Sequence, residues 1–154
     1  MNAILFALQD SQKMRTFLFW YWIISPLIFF FYQYSVAASS GVAIQQMLQE
    51  PGIALAFLSA CMSLTMAGLL RASQVENERT EGRFALFAAV QQLITGNILG
   101  FLLSYFLTRS LRDVADEPFA PRLKPVLLAG MVLMGLLSLL LIIANINLAT
   151  SFLG

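Results

Sequence analysis

The stretch FALFAAVQQLITGNILGFLLSYFLT, which runs from Phe84 to Thr108, contains no charged residue and is closed by Arg83 and Arg109. As one helix it would reach roughly 37 Å at ~1.5 Å per residue. That length exceeds the ~30 Å hydrocarbon core of a bilayer, with room for some tilt. The stretch therefore predicts one membrane-crossing helix, around which the rest of the chain packs.

Small and polar residues recur at every fourth position of this stretch. The row consists of Ala88, Gln92, Gly96, Gly100, Ser104 and Thr108, and it is flanked by Gln91, Thr95 and Asn97. Small residues let membrane helices approach closely, and polar ones bond across the contact. We therefore predict a helix-packing interface made of Ala88, Gln92, Gly96, Asn97, Gly100 and Ser104, together with Ser59 and Ser63 from the preceding apolar segment.

The composition indicates that lipid surrounds most of the chain. Of 154 residues, 59% are hydrophobic and 11% are charged, against about 25% charged residues in soluble domains; the mean hydropathy is +0.79.

The formal net charge of +1 argues against a nucleic-acid partner, which requires a clustered basic face. One cysteine and no histidine exclude an internal disulfide and histidine-based metal or haem sites. We expect no cofactor, no metal and no catalytic residue.

Three further apolar segments, 17–36, 52–70 and 126–148, are long enough to cross a membrane. Aromatic residues crowd both ends of the first segment, which is typical of the two membrane interfaces. Residues 2–13 have one apolar face and predict a short interfacial helix; no signal-peptide cleavage site follows. The predicted fold is an all-α integral membrane protein, with four transmembrane helices and an interfacial N-terminal helix in one membrane domain, 1–154.

The second and third spans are predicted to form a close antiparallel pair. The connection between them, Arg71 to Arg83, is short and charged, and short connections join neighbouring antiparallel helices. Ser59 and Ser63 lie on one face of the second span, which is expected to meet Gly96 and Gly100.

The distribution of basic residues conflicts with four spans. Lys13 and Arg15 place the N-terminus in the cytoplasm, and the second connection, Arg71 to Arg83, falls inside as well. The third connection, Ser110 to Pro125, would then hold its basic residues outside. A re-entrant hairpin over 84–108, bending at Thr95-Gly96-Asn97, would put every basic residue inside and leave three spans. Four spans remain our prediction, because each hairpin arm is too short to cross the ~30 Å core.

The sequence favours a non-enzymatic role. The four spans lack carboxylates and cationic side chains, which intramembrane catalysis and ion transport usually need. We predict an accessory or assembly subunit that packs with membrane lipids and with either itself or a larger transport or energy-converting complex. One alternative is a small oligomeric channel or transporter for a neutral or lipid-like substrate, with Gln91, Gln92 and Asn97 at the lumen. A membrane immunity or regulatory protein is another. Short loops and no signal peptide fit a bacterial plasma (inner) membrane.

Overall fold

A computed structural model describes residues 10–76, 78–111 and 124–153, and the regular structure in this part of the chain is entirely helical. This confirms the all-helical class. The helices are α1 (Ser11–Ser40), α2 (Ile44–Met47), α3 (Pro51–Glu76), α4 (Glu78–Ile94), α5 (Ile98–Ser110) and α6 (Lys124–Leu153).

Three helices in the described ranges, α1, α3 and α6, are long and apolar enough to cross a membrane. Each extends beyond its predicted span, because hydropathy marks only the apolar middle of a helix whose ends continue into polar surroundings. α1 begins where Asp10 accepts bonds from the backbone N–H groups of Gln12 and Lys13. Of the predicted interfacial helix 2–13, residues 2–9 lie outside the described ranges and 11–13 form the first turn of α1.

The stretch from Phe84 to Thr108 is not one helix. α4 ends at Ile94, and α5 begins at Ile98, so the predicted continuous helix is wrong and a count of four spans is not confirmed. Gly96 has a φ of +77°, a left-handed conformation that glycine adopts without steric cost. All residues of the stretch have hydropathies compatible with lipid, so a hydropathy profile does not detect the break.

The backbone N–H groups of residues 95 to 98 all form hydrogen bonds. The N–H of Gly96 bonds to the carbonyl of Leu93, and the N–H of Asn97 reaches back to that of Gln92. This pairing is a Schellman motif, which closes a helix on a left-handed residue. Asn97 then starts the next helix, because its Oδ1 accepts the N–H of Gly100 at 3.0 Å.

α4 and α5 fold back on each other as a helical hairpin. At the end of the hairpin away from the turn, a Cβ added at Gly82 would lie 3.7 Å from the Cβ of Leu111. Near the turn, Gly100 lies against the side chain of Gln92. The arms have 17 and 13 residues, which corresponds to about 26 and 20 Å of helix. Both arms are therefore shorter than a ~30 Å hydrocarbon core.

The turn of the hairpin lies near the middle of the bundle. The Tyr21 hydroxyl donates to Asn97, and Gln91 donates to Ser138. Tyr21 and Ser138 lie in the central parts of α1 and α6, which have 30 residues each. The hairpin thus enters beside the long helices, stops part-way along them and returns, which is the geometry of the alternative with three spans.

This topology brings the described basic residues to one end of the bundle. α1 and α6 begin at this end, α3 ends there, and both ends of the hairpin lie there. The position of α6 follows from the packing of Gly130 on Leu69 of α3. The basic side chains at this end, the open end from here on, are Lys13, Arg15, Arg71, Arg79, Arg83 and Arg109. Residues 37–51, at the opposite end, contain no basic residue.

The core forms between the hairpin and the three long helices. α4 packs against α3, α5 and α6, so the predicted contact between the second and third apolar segments is present. Trp22 of α1 meets Phe84 of α4 edge to face, with ring centroids 6.3 Å apart. The predicted loop from Arg71 to Arg83 is instead helical on both sides of residue 77, because its Glu and Arg residues are good helix formers.

If three helices cross the membrane, reporters at the two ends of the chain will give opposite signals. A reporter active only in the cytoplasm will be active at one terminus and silent at the other. A fusion made directly after Arg109 is the control and will give the N-terminal signal, since the hairpin returns to its starting side. Equal signals at both termini would contradict this topology.

Candidate functional site

The turn between α4 and α5 collects the polar side chains of the bundle interior. Asn97 accepts two bonds at its Oδ1, one from the N–H of Gly100 and one from the hydroxyl of Tyr21. The first bond caps α5 and the second ties the turn to α1. Asn97 therefore fixes both the shape of the hairpin and its position against the first long helix.

A second set of bonds ties the hairpin to α6. Gln92 donates from Nε2 to Oε1 of Gln91 at 2.8 Å, and Gln91 donates to the Ser138 hydroxyl at 3.1 Å. The Ser138 hydroxyl in turn donates to the backbone carbonyl of Met134, at 2.8 Å. Because Gln91, Gln92 and Ser138 are all buried, these bonds form away from water, where leaving an amide unpaired is costly.

Two buried polar atoms in the hairpin lack a hydrogen-bond partner among the described residues. They are Oε1 of Gln92 and Oγ of Ser104. An unsatisfied buried acceptor costs about 1–3 kcal/mol. The Gln92 oxygen lies against Gly100, where any Cβ would collide with it. A Cβ at this position would force the end of the Gln92 side chain to move.

The predicted packing row divides into two sets. Ala88, Gln92, Gly100 and Ser104 are all buried, and the arms place them symmetrically about the turn, with 92 opposite 100 and 88 level with 104. Of these four, Gly100 and Gln92 lie against each other within the hairpin. Gly96 instead forms the turn, with open space where a Cβ would be, and Asn97 is the cap described above.

The structure does not bring Ser59 and Ser63 to the Gly96 and Gly100 positions. Ser59 is exposed and Ser63 is half-buried on α3. The Ser63 hydroxyl bonds to the carbonyl of Ser59, within its own helix, at 3.0 Å.

An ion pair at the open end joins α1 to the hairpin. Arg15 contacts Glu81 in a bidentate arrangement, with Nε to Oε1 at 2.7 Å and Nη2 to Oε2 at 2.6 Å, and it also reaches Glu78 at 3.2 Å. Glu81 is 1% exposed, whereas the side chain of Arg15 is 18% exposed. The two residues are 66 positions apart, and no pattern in the sequence predicts that they pair. The sequence offered only two hints of this pair. Arg15 is a cation just before the first apolar segment, and Glu81 is a carboxylate just before the third.

Burial raises the pKa of the Glu81 carboxyl above its ordinary value, and the Arg15 guanidinium opposes that rise. A buried carboxylate pays a large desolvation cost that only a close cation can offset. Arg15 is therefore needed for the hairpin to dock on α1 with Glu81 ionised.

The chemistry available at the turn is hydrogen bonding by amides and hydroxyls. Within the described ranges, no group of three or more His, Cys, Asp or Glu side chains could hold a metal ion. Comparisons with known protein families, with curated proteins and with solved structures find no match. The function must therefore be argued from the contacts of this chain.

Replacing Gly100 by leucine will destabilise the hairpin. The new side chain collides with Gln92 and separates the arms, and overpacking of this kind costs about 1–3 kcal/mol. The control is Gly68→Leu on α3, where a Cβ meets nothing within 4 Å. The free energy of unfolding in mixed micelles measures both variants, and an equal loss in the two would contradict the close contact.

Replacing Arg15 by glutamine will cost about 3 kcal/mol at neutral pH, because it leaves a buried carboxylate without its cation. Glu81 has a raised pKa in the fold, so lowering the pH through that pKa protonates it and restores part of the loss. The double variant Arg15→Gln/Glu81→Gln is the control and will show no such recovery. Unfolding curves collected between pH 5 and pH 8 test this; identical pH profiles would refute the role of Glu81.

Proposed function

We propose that the protein is a non-enzymatic integral membrane accessory or assembly subunit that packs with itself or with a larger transport or energy-converting membrane complex. The observation that carries the proposal is an uncovered row of small residues on α3. Gly52, Ala56, Ser59 and Ser63 follow one another at spacings of four, three and four residues, so they lie on one helix face.

The same face of α3 continues towards the open end as Met66 and Leu70, which are fully buried. There, the bundle covers the face. Beyond the turn of the hairpin, Gly52, Ala56 and Ser59 are exposed, because the hairpin stops part-way along α3. The bilayer gives no hydrophobic reason to hide small residues, but such a row lets a second helix approach closely. A partner helix on this outer half would continue the packing that α4 provides nearer the open end.

The polar groups at the turn support an architectural role. Asn97 accepts a bond from Tyr21 of α1. Gln92 donates to its neighbour Gln91 on α4, and Gln91 donates to Ser138 of α6. Their bonds hold the hairpin in place, as buried polar networks in helix bundles often do.

A bacterial inner membrane with a cytoplasmic N-terminus is part of the proposal. Basic residues in short connections favour the cytoplasmic side, and the open end holds the described basic side chains while residues 37–51 hold none. On this proposal the hairpin enters from the cytoplasmic side and the C-terminus lies outside.

The channel or transporter for a neutral or lipid-like substrate is the second candidate, and the unpartnered oxygen of Gln92 is the observation in its favour. It requires Gln91, Gln92 and Asn97 to face a lumen in an oligomer. Flux through liposomes that contain the purified protein, lost on Gln92→Leu, would favour it over the accessory role. A membrane immunity or regulatory protein would bind its partner through the same face of α3 and is distinguished only by the identity of that partner.

The accessory role predicts that Ala56→Leu/Ser59→Leu will dissociate a complex seen on native gels or in mild-detergent chromatography. Bulky side chains keep the partner helix away from α3 without reaching the hairpin. Thr65→Leu is the matched control, because Thr65 is exposed on the opposite face of the same helix. A complex that survives the double variant, or the absence of any complex in native membranes, would refute the proposed surface.

A further inference from the structure

A polar cleft lies between α1 and α3 at the open end of the bundle. Its volume is about 540 Å³, and the lining includes Gln12, Arg15, Thr16 and Trp20 from α1, with Arg71 and Gln74 from α3. The packing of the bundle leaves this cleft open, and neither the ion pair nor the turn of the hairpin occupies it.

The cleft carries a positive charge for which the described residues provide no ion-pair partner. Arg15 is paired with Glu81 and Glu78 through its Nε and Nη2 atoms. Arg71, in contrast, forms no ion pair among the described residues, and its bond is a long one of 3.5 Å to the neutral Gln74. The described lining contains no carboxylate. An anion in the cleft would meet Arg71 as a free cation, and amide and hydroxyl groups as neutral donors.

A second groove, suited to a hydrocarbon chain, shares Trp20 with the cleft. Its volume is about 550 Å³, and its mostly apolar lining includes Ile24 and Ile28 of α1 and Leu103 of α5. Trp20 is half-exposed at the junction, and tryptophan favours the boundary between headgroups and acyl chains. A molecule with an anionic head and an apolar tail would match both spaces at once.

We propose that this cleft binds the phosphate-bearing headgroup of an anionic membrane phospholipid, with one acyl chain of the same lipid in the adjoining groove. Basic pockets between membrane helices on the cytoplasmic side are recognised sites for such headgroups. Arg71 supplies the charge, Gln12, Gln74 and Thr16 supply neutral hydrogen bonds, and Trp20 separates head from tail. The proposal stands apart from the accessory role, because it concerns the opposite end of α3.

The test uses the full-length protein in a neutral detergent, with bound lipid counted by native mass spectrometry. Phosphatidylglycerol will be retained in preference to phosphatidylcholine of the same chain length. Arg71→Gln will weaken phosphatidylglycerol binding about fivefold, the effect of one basic residue near an anionic surface. Arg71→Lys keeps the charge and will bind within about twofold of the original protein.

Arg109→Gln is the matched control, because it removes one exposed arginine at the same end of the bundle but outside the cleft. Equal retention of the two lipids, or an equal loss in Arg71→Gln and Arg109→Gln, would overturn the proposal. Inorganic phosphate and glycerol phosphate are added as competitors at millimolar concentration. Full displacement by either would assign the cleft to a free anion and refute the lipid; failure to displace, with weaker binding in Trp20→Ala, supports it.

Discussion

A turn placed part-way through an apolar bundle must pair its own backbone groups, and the rest of the structure depends on how this is done. No water is available at that depth to take over an unpaired N–H or carbonyl. The Schellman bonds of Gly96 and Asn97 close α4, and the Asn97 side chain opens α5. Three residues thus reverse the chain, and Tyr21 of α1 bonds to the capping side chain.

The position of this turn explains the uneven packing of α3. The hairpin covers one half of the helix, where Met66 and Leu70 are buried, and leaves the small residues of the other half exposed. It also gathers the charged ends of the segments at one end of the bundle, which leaves a pair such as Arg15 and Glu81 close enough to bond. A partner surface and a charged end are both consequences of a hairpin that does not cross.

Composition alone was sufficient to predict the helical class and the three long apolar helices, because a chain this poor in charge has few other ways to satisfy its backbone in lipid. Four residues of the predicted packing row, Ala88, Gln92, Gly100 and Ser104, are buried. The error was to place that row on one straight helix. Hydropathy sums over a window and cannot detect a glycine in a left-handed conformation followed by a capping asparagine. The charge pattern did carry the information, because only a returning hairpin puts the basic residues on one side.

The contacts of Ser59 and the ion pair of Arg15 with Glu81 could not have been predicted in the same way. Both depend on how far the hairpin extends along α1 and α3, and that distance is fixed by tertiary packing. Sequence periodicity identifies which face of a helix is suited to contact. It does not say which neighbour reaches that face.

The most direct measurement of the hairpin is a disulfide between its two ends. Cysteines introduced at Gly82 and Leu111, with Cys61 replaced by serine, would have Cβ atoms about 3.7 Å apart, which is within the range of a natural disulfide. If α4 and α5 fold back as described, mild oxidation will join the two cysteines within a single chain in native membranes. If 84–108 crossed the membrane as one helix, the two positions would be about 43 Å apart at ~1.5 Å per residue; failure to form this intramolecular bond, while both cysteines remain reactive, would contradict the account.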